Sequence, residues 1–196
     1  SDQVFIEHPE LVGRTDKSHA KAVASGVFDR YPEIFKDNEF DGAIGVIGRK
    51  DNQRIVKYTK RTYLQNHNNL DSWKVLFAGA NGSGEFGESL SAPIVAAPGM
   101  AHTQTFISIG MLESEFEADA LAKYLQTKFL RTMLSIHKVT QNNQSKATWQ
   151  KVPWQDFTPD SDIDWTSDIS KIDTQLFEKY HLDSADITFI MTHVKD

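Results

Sequence analysis

Gly42-Ala-Ile-Gly-Val-Ile-Gly-Arg-Lys-Asp-Asn-Gln-Arg-Ile-Val-Lys-Tyr-Thr59 is the stretch on which the fold class turns. Its first half is a small, β-branched run. Its second half interleaves apolar and polar residues, and Lys50-Asp51-Asn52 between them supplies turn chemistry. Two strands joined by a tight turn are expected. Downstream, Trp73-Lys-Val-Leu-Phe-Ala78 reads as a third strand running into the glycine-rich segment 79–87. Pro93-Ile-Val-Ala-Ala-Pro98 reads as a short fourth, and Thr103-Gln-Thr-Phe-Ile-Ser-Ile109 as a fifth.

Helices follow. Phe116, Ala120, Leu121, Tyr124, Leu125, Phe129, Met133, Leu134 and Ile136 recur at three- and four-residue steps, and Ser114-Glu-Phe-Glu117 has the capping-box pattern, so one long helix is expected over 114–136. Residues 148–157 read as an apolar strand or extended segment, 166–180 and 184–193 as two further helices, and 18–28 as a short one. The expected class is α+β: a twisted, mainly antiparallel sheet, a long packed helix and a helical C-terminal tail. The expected division is a domain over 1–155 and an acidic helical extension over 156–196.

The chain has 196 residues, 39% hydrophobic, with 12 Phe and 4 Trp, enough for a packed core. It has no cysteine, so disulfides, zinc–thiolate sites and thiol redox chemistry are excluded, and a reducing cytoplasm suits it. No apolar run reaches the length of a membrane span, and no signal peptide is expected. A start at Ser1 suits an excised piece of a longer protein.

The net charge of −6 conceals segregation. Residues 49–74 hold seven Lys/Arg against two Asp, residues 75–122 hold six acids and no base, residues 123–151 hold six bases and no acid, and 156–196 hold ten acids against three lysines. For a polyanionic partner the face presented matters more than the sum.

Several chemistries are weighed. Gly79-Ala-Asn-Gly-Ser-Gly84 lacks the Gly-Lys-Ser/Thr ending of a phosphate loop and the acidic residue of a dinucleotide fold, so it reads as a flexible or substrate-contacting loop. A metal-dependent nuclease would use Glu39 and Asp41, with solvated loop carboxylates as the plain alternative. The seven histidines show no metal spacing, and no serine elbow exists. What remains is a binding inventory. Arg49, Lys50, Arg54, Lys57, Lys60 and Arg61 surround Tyr58 and Tyr63, while Lys138, Gln141, Asn142 and Lys146 lie in an amide-rich loop. Arginine suits guanine, Asn and Gln suit adenine, and lysine suits phosphate. The plain alternatives are edge-strand lysines that prevent aggregation and a solvated loop.

Residues 69–84 (Asn69-Leu-Asp-Ser-Trp-Lys-Val-Leu-Phe-Ala-Gly-Ala-Asn-Gly-Ser-Gly84), His102-Thr-Gln-Thr-Phe-Ile-Ser-Ile-Gly110, Phe116-Glu-Ala118, Lys123-Tyr-Leu-Gln-Thr-Lys-Phe129, Lys138-Val-Thr-Gln141, Val152-Pro-Trp-Gln-Asp-Phe157, Asp162-Ile-Asp-Trp165 and Ile172-Asp-Thr-Gln-Leu-Phe-Glu-Lys-Tyr-His-Leu182 occur in this order. This run resembles the C-terminal part of type II restriction-modification enzymes that carry a fused adenine-specific methyltransferase, over about residues 42–194. The resemblance implies a target-recognition domain, similar in plan to the half-domains of type I specificity subunits. Its partner would be double-stranded DNA. S-adenosylmethionine, and in a cleaving parent Mg²⁺, would belong to domains outside this chain. The family's Asn-Pro-Pro-Tyr/Phe motif does not occur here, so methyl transfer is expected from a methyltransferase domain of the same parent. On this reading the bases of 49–61 hold phosphates, and Asn81, Ser83, His102, Thr103, Gln104, Lys138, Gln141, Asn142 and Lys146 lie in loops that read bases. A protein-docking module with an acidic tail is a further alternative.

Overall fold

The computed structural model describes residues 2–14, 23–80, 85–137 and 146–195, with only the backbone of residues 137, 146 and 147. The class is α+β, with two small, mostly antiparallel sheets where one was expected. The chain divides into two compact units, residues 1–72 with 97–107, and residues 73–96 with 108–196.

The first unit is built on the hairpin. Strands β1 (Ala43–Lys50) and β2 (Gln53–Lys60) pair antiparallel from Ala43↔Lys60 to Lys50↔Gln53. Asp51 and Asn52 make the two-residue turn with φ of 49° and 62°, the left-handed pair that matches strand twist. Asp and Asn tolerate that region better than other side-chain-bearing residues, which is why the turn sits there. A third strand, β5 (Met100–His102), adds parallel to β1 through Gly45↔Met100 and Ile47↔His102. It was not expected from sequence, because three residues after a glycine carry no periodic pattern.

Helices α1 (Gln3–Glu7) and α2 (Val27–Arg30) belong to this unit. Phe28 and Phe35 meet edge to face at 5.0 Å and close with Val27 and Val46 into a core that Ile55 and Ala101 flank. Gly48 is required here: a Cβ would come 2.5 Å from the Phe28 ring. A second cluster joins Val4, Leu11 and Tyr63. The helix expected over 18–28 falls partly outside the described residues, and only its end, α2, lies within them.

In the second unit β3 (Trp73–Ala78) lies between β4 (Ile94–Ala96), its antiparallel partner, and β6 (Phe106–Leu112), whose first two residues belong to the first unit. Val75, Leu76 and Phe77 are fully buried, so both faces of β3 are covered. The long helix is two: α3 (Glu115–Tyr124) and α4 (Lys128–His137). Ser114 Oγ accepts from the Glu117 N–H as the capping pattern predicts, although the Glu117 carboxylate accepts from Glu113 N–H.

The break after Tyr124 has a physical cause. Thr127 Oγ1 accepts from Leu130 N–H, and the carboxylate of Asp173 accepts from Lys128 N–H at 3.0 Å and Phe129 N–H at 2.9 Å, so a new helix start is capped from 45 residues away. Asp173 lies on α6 (Ile169–Lys179), whose Ile172, Leu176 and Phe177 are buried. It is followed by α7 (Ser184–His193). Residues of 156–196 share a unit with α4, and Asp173 bonds its first turn. Lys146–Trp149 forms the one-turn α5, and 152–157 belongs to no helix or strand. Gln155 is buried there and donates to Tyr180 Oη, while Tyr124 Oη donates to the Pro153 carbonyl.

Candidate nucleic-acid interface

Register decides where each base of the first basic block points. Residues paired across an antiparallel ladder share a face, and successive residues alternate. Ala43/Lys60, Gly45/Tyr58, Ile47/Val56 and Arg49/Arg54 therefore share one face, joined by Met100 and His102 of β5. Ile44/Thr59, Val46/Lys57, Gly48/Ile55 and Lys50/Gln53 share the other, which the Phe28–Phe35 core covers. Glycine surroundings agree: a Cβ on Gly45 would meet Met100 and Val56, and one on Gly48 would meet Phe28 and Thr103.

Most of these cations are already engaged within the first unit. On the core-covered face Lys50 pairs with Asp29 at 2.7 Å, and Lys57 pairs with Asp37. At the far end of β2, Lys60 pairs with Glu7, whose carboxylate also accepts from Tyr63 Oη at 2.6 Å. Arg61 forms a two-pronged pair with Asp71 at 2.7 and 2.5 Å. The electrostatic consequences follow the contacts. Hydrogen bonds from Lys60 first, then Tyr63 and Gln3, hold the Glu7 carboxyl down to about 2. The Lys50 ammonium is pushed up by Asp29, the Lys60 ammonium by Glu7 and the Arg61 guanidinium by Asp71. Solvent screens exposed pairs of this kind, so they order side chains more than they stabilise the fold.

Arg49 differs. Arg49 donates to the Asn52 carbonyl at 3.1 Å, and the Arg54 guanidinium lies 6.0 Å from the Phe106 ring centre. Both are exposed, as is every residue from 49 to 54. Lys36 is exposed and 4.7 Å from the Phe40 ring centre; its backbone bridges to Tyr58, which puts it on the Arg49/Arg54 face.

Three bases of the second block are used within the second unit. Lys123 Nζ donates to the carbonyls of Trp165, Thr166 and Ser167. Lys128 Nζ donates to the Val194 carbonyl, and Arg131, 5% exposed, donates to Ser89 Oγ and the Lys195 carbonyl. These charges satisfy backbone oxygens of the second unit. Lys74, counted with the first block, is buried in β3 at 1% exposure.

Of the expected base readers, His102 is half-buried with Nδ1 2.9 Å from the Thr103 carbonyl oxygen, and Gln104 is half-buried. Thr103 is fully buried, with its methyl beside Gly48, so its side chain does not present itself to a base edge as expected. Asn81, Ser83, Lys138, Gln141 and Asn142 lie outside the described residues, as does the side chain of Lys146. Glu39 and Asp41 are exposed, and among the described residues no three His, Asp or Glu side chains group as a metal ion would need. In the second unit a cleft of about 390 Å³ is lined by residues including Phe116, Asp119, Lys123 and Trp165. No helix of the described residues is long and apolar enough to cross a membrane. The chain matches no family model, no curated protein sequence and no solved structure.

Proposed function

We propose that this chain is a sequence-specific reader of double-stranded DNA, the target-recognition module of a restriction-modification adenine methyltransferase. A methyltransferase domain of the same parent would bind S-adenosylmethionine and carry out N6 methylation, with this chain positioning the adenine. The observation that carries the reading is an exposed basic hairpin tip in a chain of net charge −6: Arg49 and Arg54 stand directly opposite each other at the exposed end of β1 and β2. Such concentration of cations on one element opposes the overall charge and suits a polyphosphate partner. A two-stranded ribbon is also an element that fits the duplex major groove. The segment order of the resemblance supplies the restriction-modification context, and the loops at 81–84 and 138–146 are its expected base readers.

The test is selection of bound sequences from a randomised duplex library by the full chain at two salt concentrations. An enriched motif whose affinity weakens with salt supports the reading and names the site. Binding that is salt-dependent but without sequence preference would leave a general polyanion binder in its place, and absence of binding by the chain and by a chain joined to its methyltransferase domain would remove DNA from the account.

A further inference from the structure

The cleft of the second unit holds charged chemistry that the DNA-binding reading does not use. One wall is a face of α3, on which Phe116, Asp119, Ala120 and Lys123 lie three and four residues apart; Pro93 and Val95 at β4 and the turn at Trp165 and Thr166 complete a space of about 390 Å³. Only one of its two charges is open to a ligand. An ammonium has three N–H donors, and Lys123 Nζ donates to the carbonyls of Trp165, Thr166 and Ser167 at 2.7, 3.3 and 3.0 Å. The same turn brings Asp164 toward that charge: hydrogen bonds from Thr166 first, then Ser167, hold its carboxyl below the ordinary value, and the Lys123 charge adds to them. Asp119, four residues before Lys123, is exposed and forms no side-chain hydrogen bond or ion pair among the described residues. The rings beside it are half-buried Phe116 and buried Trp165, whose Nε1 already donates to the Asp156 carbonyl at 2.7 Å, so the indole offers the cleft π surface rather than a donor.

A carboxylate above an apolar floor, with two aromatic rings in the walls, selects its ligand by charge and shape. An anion would be repelled by Asp119, and a wholly apolar group would desolvate the carboxylate without replacing its hydrogen bonds. A cation on an alkyl stem satisfies both surroundings: its head reaches the carboxylate and the ring faces, and its methylenes cover Pro93, Val95 and Ala120. We propose that this cleft binds an alkylammonium group through Asp119, Phe116 and Trp165, with Lys123 shaping the 165–167 turn rather than touching the ligand. The head group is that of a free aliphatic polyamine or of a lysine side chain on a partner polypeptide. The proposal is independent of the DNA-binding reading.

The experiment records amide proton–nitrogen NMR spectra of the full chain during titration with n-butylammonium, n-butanol and n-butyrate at constant ionic strength. Butylammonium is expected to shift the α3 amides from Phe116 to Gln126 and the Trp165 indole N–H, saturating with a Kd on the order of 1–10 mM. Asp119→Asn keeps the size of an exposed side chain and removes its charge, and is expected to weaken butylammonium about tenfold. Phe116→Leu is expected to weaken it about threefold. Asp186→Asn, at an exposed acid of α7 outside the cleft, should leave Kd within about twofold. Resonances unchanged away from the cleft show that the variants are folded. Spermidine and the tripeptide acetyl-Gly-Lys-Gly-amide carry the same head group, and the one that binds about tenfold more tightly than butylammonium identifies the source. Equal shifts with butanol or butyrate, shifts that persist unchanged in Asp119→Asn, or shifts that map away from α3 and the 165–166 turn overturn the proposal.

Discussion

Removing the Asp173 carboxylate tests the argument that α4 begins where it does because of a residue 45 positions later in the chain. Asp173 is 4% exposed and accepts from two backbone N–H groups of the first turn of α4. In Asp173→Ala the Phe129 N–H is left in a buried place, because Phe129 is 3% exposed, at about 1–3 kcal/mol. Lys128 is half-buried, so its N–H recruits water and contributes about 1 kcal/mol more. Against this, burial pushes the Asp173 carboxyl up from its ordinary value, more than the Phe129 and Lys128 N–H groups and the nearby Arg131 and Lys128 charges hold it down. The carboxylate is therefore not fully compensated for leaving water, and its removal returns part of the loss. A net destabilisation of about 2–3 kcal/mol follows, or about 4–12 °C in Tm for a chain of this size. Asp173→Asn keeps one acceptor and turns an amide N–H toward the other donor, and falls between.

The pH dependence has a definite sign. A raised folded pKa means that the folded chain binds the proton more tightly than the unfolded one. Its contribution to stability is complete below the ordinary carboxyl value of 3.8 and declines as pH rises from there through the raised folded value. The advantage of wild type over Asp173→Asn should shrink across that window. Thermal unfolding followed at 222 nm for the three proteins over a pH series measures both quantities. A loss below about 1 kcal/mol in Asp173→Ala, or an advantage that grows with pH, refutes the reasoning.

Three other outcomes are expected. Glu7, held down to about 2, contributes ordering that is complete above 4.5 and lost as pH falls toward 2; its side-chain carbonyl resonance should titrate near 2, and a midpoint near 4.5 would dissolve the Lys60–Glu7–Tyr63 contact. Asp37→Ala and Asp71→Ala release Lys57 and Arg61 from their carboxylates, so each should tighten duplex binding about threefold at low salt; unchanged Kd would mean that the pairs do not restrain these cations. Gly48→Ala forces a methyl into the Phe28 ring and should lower stability by about 1–3 kcal/mol in a urea titration, whereas an unchanged midpoint would mean that the core of the first unit yields easily.

What could be read from sequence was what is local. The hairpin was legible because alternation and turn chemistry act within 18 residues, and α7 begins where expected because Asp183 caps it through its own side chain. The division of the long helix was not, since the apolar stripe runs through Tyr124, Leu125 and Phe129 without interruption, and the deciding acceptor lies on α6. β5 has no pattern of its own and exists through parallel pairing with residues 55 positions earlier. Charge blocks misled for the same reason. Lys123, Lys128 and Arg131 look like a basic face in sequence, yet their partners are carbonyls at 165–167 and 194–195. The acids that occupy Lys57, Lys60 and Arg61 lie 10 to 53 positions away.

The two units are interleaved along the chain, 1–72 with 97–107 and 73–96 with 108–196. During synthesis the hairpin leaves the ribosome with β1 still lacking a neighbour on one side. That place is filled only after β3 and β4, which belong to the other unit, have also emerged. Any single cut inside the stretch 73–107 therefore yields two pieces of which neither holds a whole unit. Transplanting the hairpin surface onto another scaffold takes two junctions rather than one: the excised piece must carry 97–107 on a new linker, joined where the native chain makes its excursion.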